Sequence, residues 1–130
     1  MPESVNVLVD TSAWLDVFAG VEPVLSILAP LMHQGRVVVC GMVRQEVVQG
    51  SRDEAMLSRM ERDISLWSYE AETPDDFAEA ARTYARLRWK GVTVPAADCL
   101  IAAVAKRCGY RIFATDPHFS QIPGVRFFEL

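Results

Sequence analysis

An α/β layer fold, with a mostly parallel central sheet of about five strands flanked by helices on both faces, is what this sequence predicts, on three observations. Short, continuously apolar runs rich in β-branched residues alternate along the chain with segments of helical period. Those runs lack the in–out polarity alternation of a sheet with one wet face, so they read as strands covered on both sides. The 130 residues, 51% hydrophobic and 23% charged, contain no repeat, linker or low-complexity tract, so one compact domain over residues 1–130 is expected. Right-handed crossovers between parallel strands then place the intervening helices on both faces.

The first strand is expected at residues 5–9 (VNVLV), apolar apart from Asn6, and it stops at Asp10. Thr11-Ser12 can cap a helix that carries Trp14, Leu15 and Phe18 and breaks at Gly20. A second helix is expected from about Pro23 to His33 despite Pro30, after which Gly35 turns the chain. Residues 37–40 form a second buried strand. A helix follows from near Met42 to near Gly50, then a charged helix from about Arg52 to Arg62, and residues 64–69 are a candidate third strand.

The clearest helix covers residues 74–90: Thr73 stands as N-cap, Asp76 as the capping-box acid and Pro74 at the first position. Phe77, Ala80, Ala81, Tyr84 and Leu87 share one face, expected to be core, while Arg86, Arg88 and Lys90 complement the negative C-terminal end before Gly91. Pro95 opens another helix, through Arg107, closed by Gly109. Strands at residues 111–114 and 125–128 complete the pattern.

Charge and composition exclude several classes of function. With 13 basic and 17 acidic residues the net charge is −4, which argues against gripping nucleic acid by overall positive charge. Cys40, Cys99 and Cys108 include no CxxC, and only His33 and His118 are available beside them, so disulfides and structural zinc are not expected and the cysteines read as core filler. The longest apolar stretch, residues 37–43, is seven residues long and holds a glycine, far below the roughly 18 that cross a bilayer. The start, Met1-Pro2-Glu3-Ser4, lacks a basic n-region, so a cytoplasmic location is the expectation.

Ligands on parallel sheets collect at the carboxyl ends of the strands, which directs attention to acids there. Asp10 directly follows the first strand, and Asp116 lies just beyond the strand ending at Ala114; each serves equally well as a turn or helix cap. Asp98 is the single charged residue between Ala96 and Ala105, in a helix apolar all round. A bare carboxylate in such surroundings needs a cation or strong donors, unless it merely meets the positive end of its helix. Glu46 lies in the helix after the second strand, where a polar face would also explain it. Four carboxylates converging on one edge repel, and are tolerable only with bound cations or raised pKa values; such oxygen ligands suit Mg²⁺ or Mn²⁺ rather than zinc. Without these four, the remaining 13 acids balance the 13 bases, so the rest of the molecule need not repel a polyanion.

The order of these motifs resembles the PIN domain: Asp10-Thr11-Ser12 after the first strand, Glu46 with Gly50, Asp98 in a small-apolar helix, and Thr115-Asp116 before Phe119. Each motif is short, but four acids in this order and at these intervals form a specific pattern that spans nearly the whole chain. Stand-alone domains of this length are most similar to the toxins of bacterial and archaeal toxin–antitoxin pairs, the VapC group.

The resemblance implies a metal-dependent endoribonuclease in which Asp10, Glu46, Asp98 and Asp116 hold one or two Mg²⁺ or Mn²⁺ ions, with Thr11, Ser12 and Thr115 supporting the pocket. Water activated by metal would attack the phosphodiester in line, leaving 5′-phosphate and 3′-hydroxyl ends. It also implies a cognate antitoxin over the site and a homodimer beneath it. The departure from the pattern is Pro95, three residues before Asp98.

Arg82, Arg86 and Lys90, spaced four apart, form a stripe that either meets substrate phosphates or is a solvated face. His118 is either a proton-transfer group or a turn residue. For Trp14, Phe18 and Trp89, core packing is expected ahead of base stacking. Two alternatives remain. A Mg²⁺-dependent phosphatase or receiver-like module lacks support, because Ser12 stands where such enzymes carry a second aspartate and neither Lys90 nor Lys106 directly follows a strand. A catalytically inactive binding domain is disfavoured by the presence of all four acids.

Overall fold

A computed structural model describes residues 5–128 of the chain, so the start read above, Met1-Pro2-Glu3-Ser4, lies outside the described residues. Four strands alternate with six helices: β1 (Val7–Val9), α1 (Thr11–Ala19), α2 (Val24–His33), β2 (Val37–Cys40), α3 (Gly41–Gln49), α4 (Glu54–Ile64), β3 (Ser68–Glu70), α5 (Pro74–Trp89), α6 (Ala96–Cys108) and β4 (Arg111–Phe113). A 3₁₀ helix, Pro117–Gln121, follows. The strands lie in the order β3-β2-β1-β4, and every pairing is parallel, with Leu8 opposite both Val38 and Ile112 and Cys40 opposite Glu70. Successive strand residues face opposite sides of a sheet, and Val7, Leu8 and Val9 are all fully buried, so both faces are covered. The sheet has four strands where about five were expected. Residues 125–128 meet β4 through one bridge, Phe127 to Ile112, made by two backbone hydrogen bonds after the turn at Gly124.

Local chemistry explains most boundaries. Asp10, rather than Thr11 or Ser12, caps α1, its carboxylate accepting from the Ala13 N–H, and Gly20 ends the helix at φ 74°, a left-handed conformation that favours glycine. Thr73 and Asp76 form the expected capping box on α5. Residues 64–69 shorten to β3 because Ile64 is the last residue of α4, where it and Met60, four apart, turn into the core. Residues 99–105 of α6 are buried without exception, which matches the all-apolar reading of that helix.

The expected core face of α5 is displaced. Its buried stripe is Asp76, Ala80, Thr83 and Leu87, whereas Phe77 is 57% and Tyr84 36% exposed. Ala80 and Leu87 are buried as expected, so the face is turned by less than one position, which is about 100°. Arg107 at the end of α6 takes the Asp76 carboxylate, which turns Asp76 and Thr83 inward and leaves Phe77 and Tyr84 at the rim of the α5–α6 contact. Trp14 is fully buried and stacks on Phe18 with ring centroids 5.8 Å apart, as expected, but Trp89 is 80% exposed and packs in no core. All three cysteines are free, Cys40 and Cys99 buried and Cys108 half-buried. Among the described residues no single helix is long and apolar enough to cross a membrane.

Candidate active site

Because all four strands run the same way, their carboxyl ends share one edge, and the chain leaves that edge at Asp10, Gly41, Ala71 and Ala114. The Asp10 N–H bonds to the Phe113 carbonyl at 3.0 Å, which ties the exit of β1 to that of β4. Asp10 is 4% exposed. Ser12 Oγ donates to its carboxylate at 2.9 Å, and Thr115 Oγ1 donates to Ser12 Oγ at 3.0 Å, so two hydroxyls in series orient the acid. Burial nevertheless pushes Asp10 up to about 6, against the hydrogen bonds from Ala13 and Ser12, with the charge of Asp98 adding to the rise.

Glu46 lies in the second turn of α3 and accepts a 2.7 Å hydrogen bond from Thr11 Oγ1. Asp98 lies in the first turn of α6, three residues after Pro95, so the proline sets the helix start and leaves the acid at the edge. Its carboxyl is raised by burial first, then by the charges of Asp116 and Glu46, with the His118 contact opposing. Asp116 caps the 3₁₀ helix by accepting from the His118 N–H at 2.7 Å.

Of the four predicted acids, Asp98 and Asp116 stand together, and the charges of Asp10 and Glu46 also act on Asp98. Asp98, Asp116 and His118 each offer a ligand atom within 4.8 Å of one another. His118 Nδ1 stands 2.8 Å from Asp116 and 3.2 Å from Asp98, so the turn residue belongs to the cluster. Asp10 and Glu46 flank this group, held by Ser12 and Thr11. Among the described residues no lysine or arginine makes an ion pair with any of the four acids. The Cys40 thiol, beside Glu72 at the end of β2, is pushed up to about 12 by burial and offers no thiolate. Carboxylate oxygens with one imidazole and no thiolate are a donor set for hard divalent ions.

Of the predicted basic stripe, Arg86 and Lys90 join Lys106 in a groove of about 150 Å³ that none of the four acids lines, and Glu79, the 3.7 Å partner of Arg82, lines it as well. Lys106, weighed from the sequence only as the phosphate lysine of a phosphatase, joins this groove from α6, eight residues beyond Asp98. Sequence reasoning missed Glu72, although the strand-end rule that selected Asp10 would have reached it had β3 been placed correctly.

The PIN domain family model matches residues 7–125 of the chain. Ribonuclease VapC11 of Mycobacterium tuberculosis is 33% identical over 124 residues, covering 92% of each chain. Among solved structures, the DNA-bound VapBC of Salmonella typhimurium has a TM-score of 0.78 at 19% identity, over 95% of this chain and 97% of that one. VapBC2 of Rickettsia felis, bound to a promoter DNA fragment, has 0.77 at 15% identity, over 95% and 98%. These likenesses establish the fold, and the sequence match agrees with them from the first strand to beyond the 3₁₀ helix. The chain belongs to the PIN domain family and, within it, to the VapC ribonucleases.

Proposed function

We propose that Asp10, Glu46, Asp98 and Asp116 hold one or two Mg²⁺ or Mn²⁺ ions, with which the chain cuts RNA endonucleolytically as the toxin of a toxin–antitoxin pair. The observation that carries this reading is Asp98, an acid raised first by its burial and then by the charges of Asp116 and Glu46, and met by no lysine or arginine. A carboxylate cluster of this kind stores repulsion that a divalent cation relieves. When bound there, such an ion supplies water of lowered pKa and neutralises charge on the scissile phosphate. The chain's own groups do the positioning: Thr115 and Ser12 aim Asp10, Thr11 holds Glu46, and His118 Nδ1 bridges Asp98 and Asp116. Arg86, Lys90 and Lys106 offer their groove, apart from the acids, to phosphates elsewhere along a bound RNA.

The protein partners of this reading are an antitoxin and a second copy. The second copy suits the exposed face of α5, where Phe77 and Tyr84 stand beside the alanines Ala81, Ala96 and Ala97 in one apolar groove. A two-fold interface sets one patch against itself and so needs bumps and hollows on the same face, which the two aromatics and the alanines supply. Phe77→Asp is expected to leave a monomer in sedimentation where the unmodified chain is a dimer; a dimer that survives the substitution places the interface elsewhere.

The test of the nuclease reading is incubation with total cellular RNA, with Mg²⁺, Mn²⁺ or chelator, followed by mapping of the cut ends. Cleavage is expected with metal only, leaving 5′-phosphates. Asp98→Asn should lower it at least about 100-fold with the circular dichroism unchanged, and Arg86→Ala with Lys90→Ala should weaken RNA retention in chelator. Cutting that persists in chelator, or in Asp98→Asn, would overturn the assignment.

A further inference from the structure

The helix that delivers Glu46 has no cap of its own. The residue before α3, Cys40, makes no side-chain bond to it, so its first N–H groups need partners from elsewhere. They find one in Glu72, two residues past β3: the Gly41 N–H donates to Oε1 at 3.1 Å and the Met42 N–H to Oε2 at 2.7 Å. Parallel pairing explains the meeting, since Cys40 lies opposite Glu70 and the two chains leave the sheet side by side. The charge is well placed, because a helix N-terminus favours an anion.

Gly41 is what admits the carboxylate. A Cβ at this position would lie 2.5 Å from Glu72 Oε1 and 2.8 Å from the Tyr69 hydroxyl, closer than non-bonded atoms approach. Its φ is not among the positive ones, so space rather than backbone freedom calls for glycine here. Five residues on, about one and a half turns, the same helix brings Glu46 to Thr11 Oγ1 at 2.7 Å. A nine-residue helix is too short to hold itself rigid, and its first turn frays without a partner.

We propose that Glu72 is a positioning residue: gripping both leading N–H groups of α3 with its two oxygens, it sets where Glu46 stands in the acid cluster, and Gly41 provides the room. This rests on the metal-dependent reading above and adds to it a fifth acid that binds backbone instead of metal. Each oxygen of Glu72 accepts one N–H, so Glu72→Gln must turn an NH₂ toward one of them. Gly41→Ala displaces the carboxylate by bulk alone. A control is Asp53→Ala, which removes the cap of α4 from the Met56 N–H, on a helix that carries no site acid.

The experiment measures Mn²⁺ affinity by electron paramagnetic resonance, the nuclear Overhauser contact between the Thr11 methyl and Glu46, and Tm, on the full chain and each variant. In Glu72→Gln and in Gly41→Ala, affinity should fall about tenfold and the contact should disappear. Asp53→Ala, despite a comparable loss of Tm, should change neither. Retention of the contact and of the affinity in Glu72→Gln overturns the proposal, as does an equal loss of affinity in Asp53→Ala. If the unsubstituted chain binds no Mn²⁺ the nuclease reading fails, and the Thr11–Glu46 contact alone decides the role of Glu72. Should Glu72→Gln not fold, Gly41→Ala carries the same test.

Discussion

Asp10 and Asp76 are both aspartates at helix N-termini, 4% and 2% exposed, yet the fold treats them in opposite ways. Asp76 is also penalised by burial, but Arg107 Nε at 2.9 and 3.0 Å and the Thr73 N–H at 2.9 Å hold its carboxyl below the ordinary range. Asp10 has hydroxyl and amide donors but no cation, and burial carries it up to about 6. Asp76, hidden only shallowly beside a half-exposed arginine, thus becomes a tie that holds helices together, while Asp10, deeper in the fold, is left as an uncompensated charge. The difference separates an acid that serves the architecture from one left open to a cation from outside.

The largest test of this contrast is Asp10→Asn. The amide keeps an acceptor for the Ala13 N–H and removes the desolvated charge. The Asp10 carboxyl binds its proton more tightly in the fold, at about 6, than in the unfolded chain, near 3.8. Its ionisation therefore costs stability, the cost growing as pH rises from about 4 and complete above about 6, where it amounts to about 3 kcal/mol. In chelator at pH 7.5, urea unfolding should find Asp10→Asn more stable by up to about 3 kcal/mol, with no gain at pH 4. An equal gain at both values would show that charge is not the cause.

The opposite outcome is expected at the compensated acid. Arg107→Ala strands Asp76 in the interior and should cost about 2 to 3 kcal/mol, below the full value for a buried pair because the guanidinium is 35% exposed. Replacing both partners, Arg107→Met with Asp76→Leu, should recover most of that loss in the same unfolding measurement. If the double substitution is no better than the single, Arg107 acts chiefly through its other contacts, at the Ala71 carbonyl and Glu70, and the contrast with Asp10 weakens.

Much of this was legible in the chain because it is local. Residues 37–40 announce a buried strand by composition, Thr73 to Asp76 a helix start by spacing, and Asp98 its need for a partner by standing alone among apolar neighbours. The strand-end rule then sufficed to gather Asp10 and Asp116, and the helix after β2 brought in Glu46. The aromatic stripe of α5 misled because periodicity identifies an apolar face without saying which neighbour it meets. Small α6 side chains and the pull of Arg107 on Asp76 turned Asp76 and Thr83 inward beside Ala80 and Leu87 and left Phe77 and Tyr84 outside.

By itself the sequence determined the alternation of strands and helices, the parallel sheet, and the order of the four acids, since each follows from propensity, capping and period within a few residues. Only the tertiary structure decided that His118 sits between Asp98 and Asp116, that Glu72 is spent on the N-terminus of α3, and that Lys106 joins Arg86 and Lys90 in one groove. Two of these three depend on contacts between residues about 20 to 30 positions apart. No local pattern encodes such meetings, because they are set by how whole elements pack and by which charges the interior can leave unpaired.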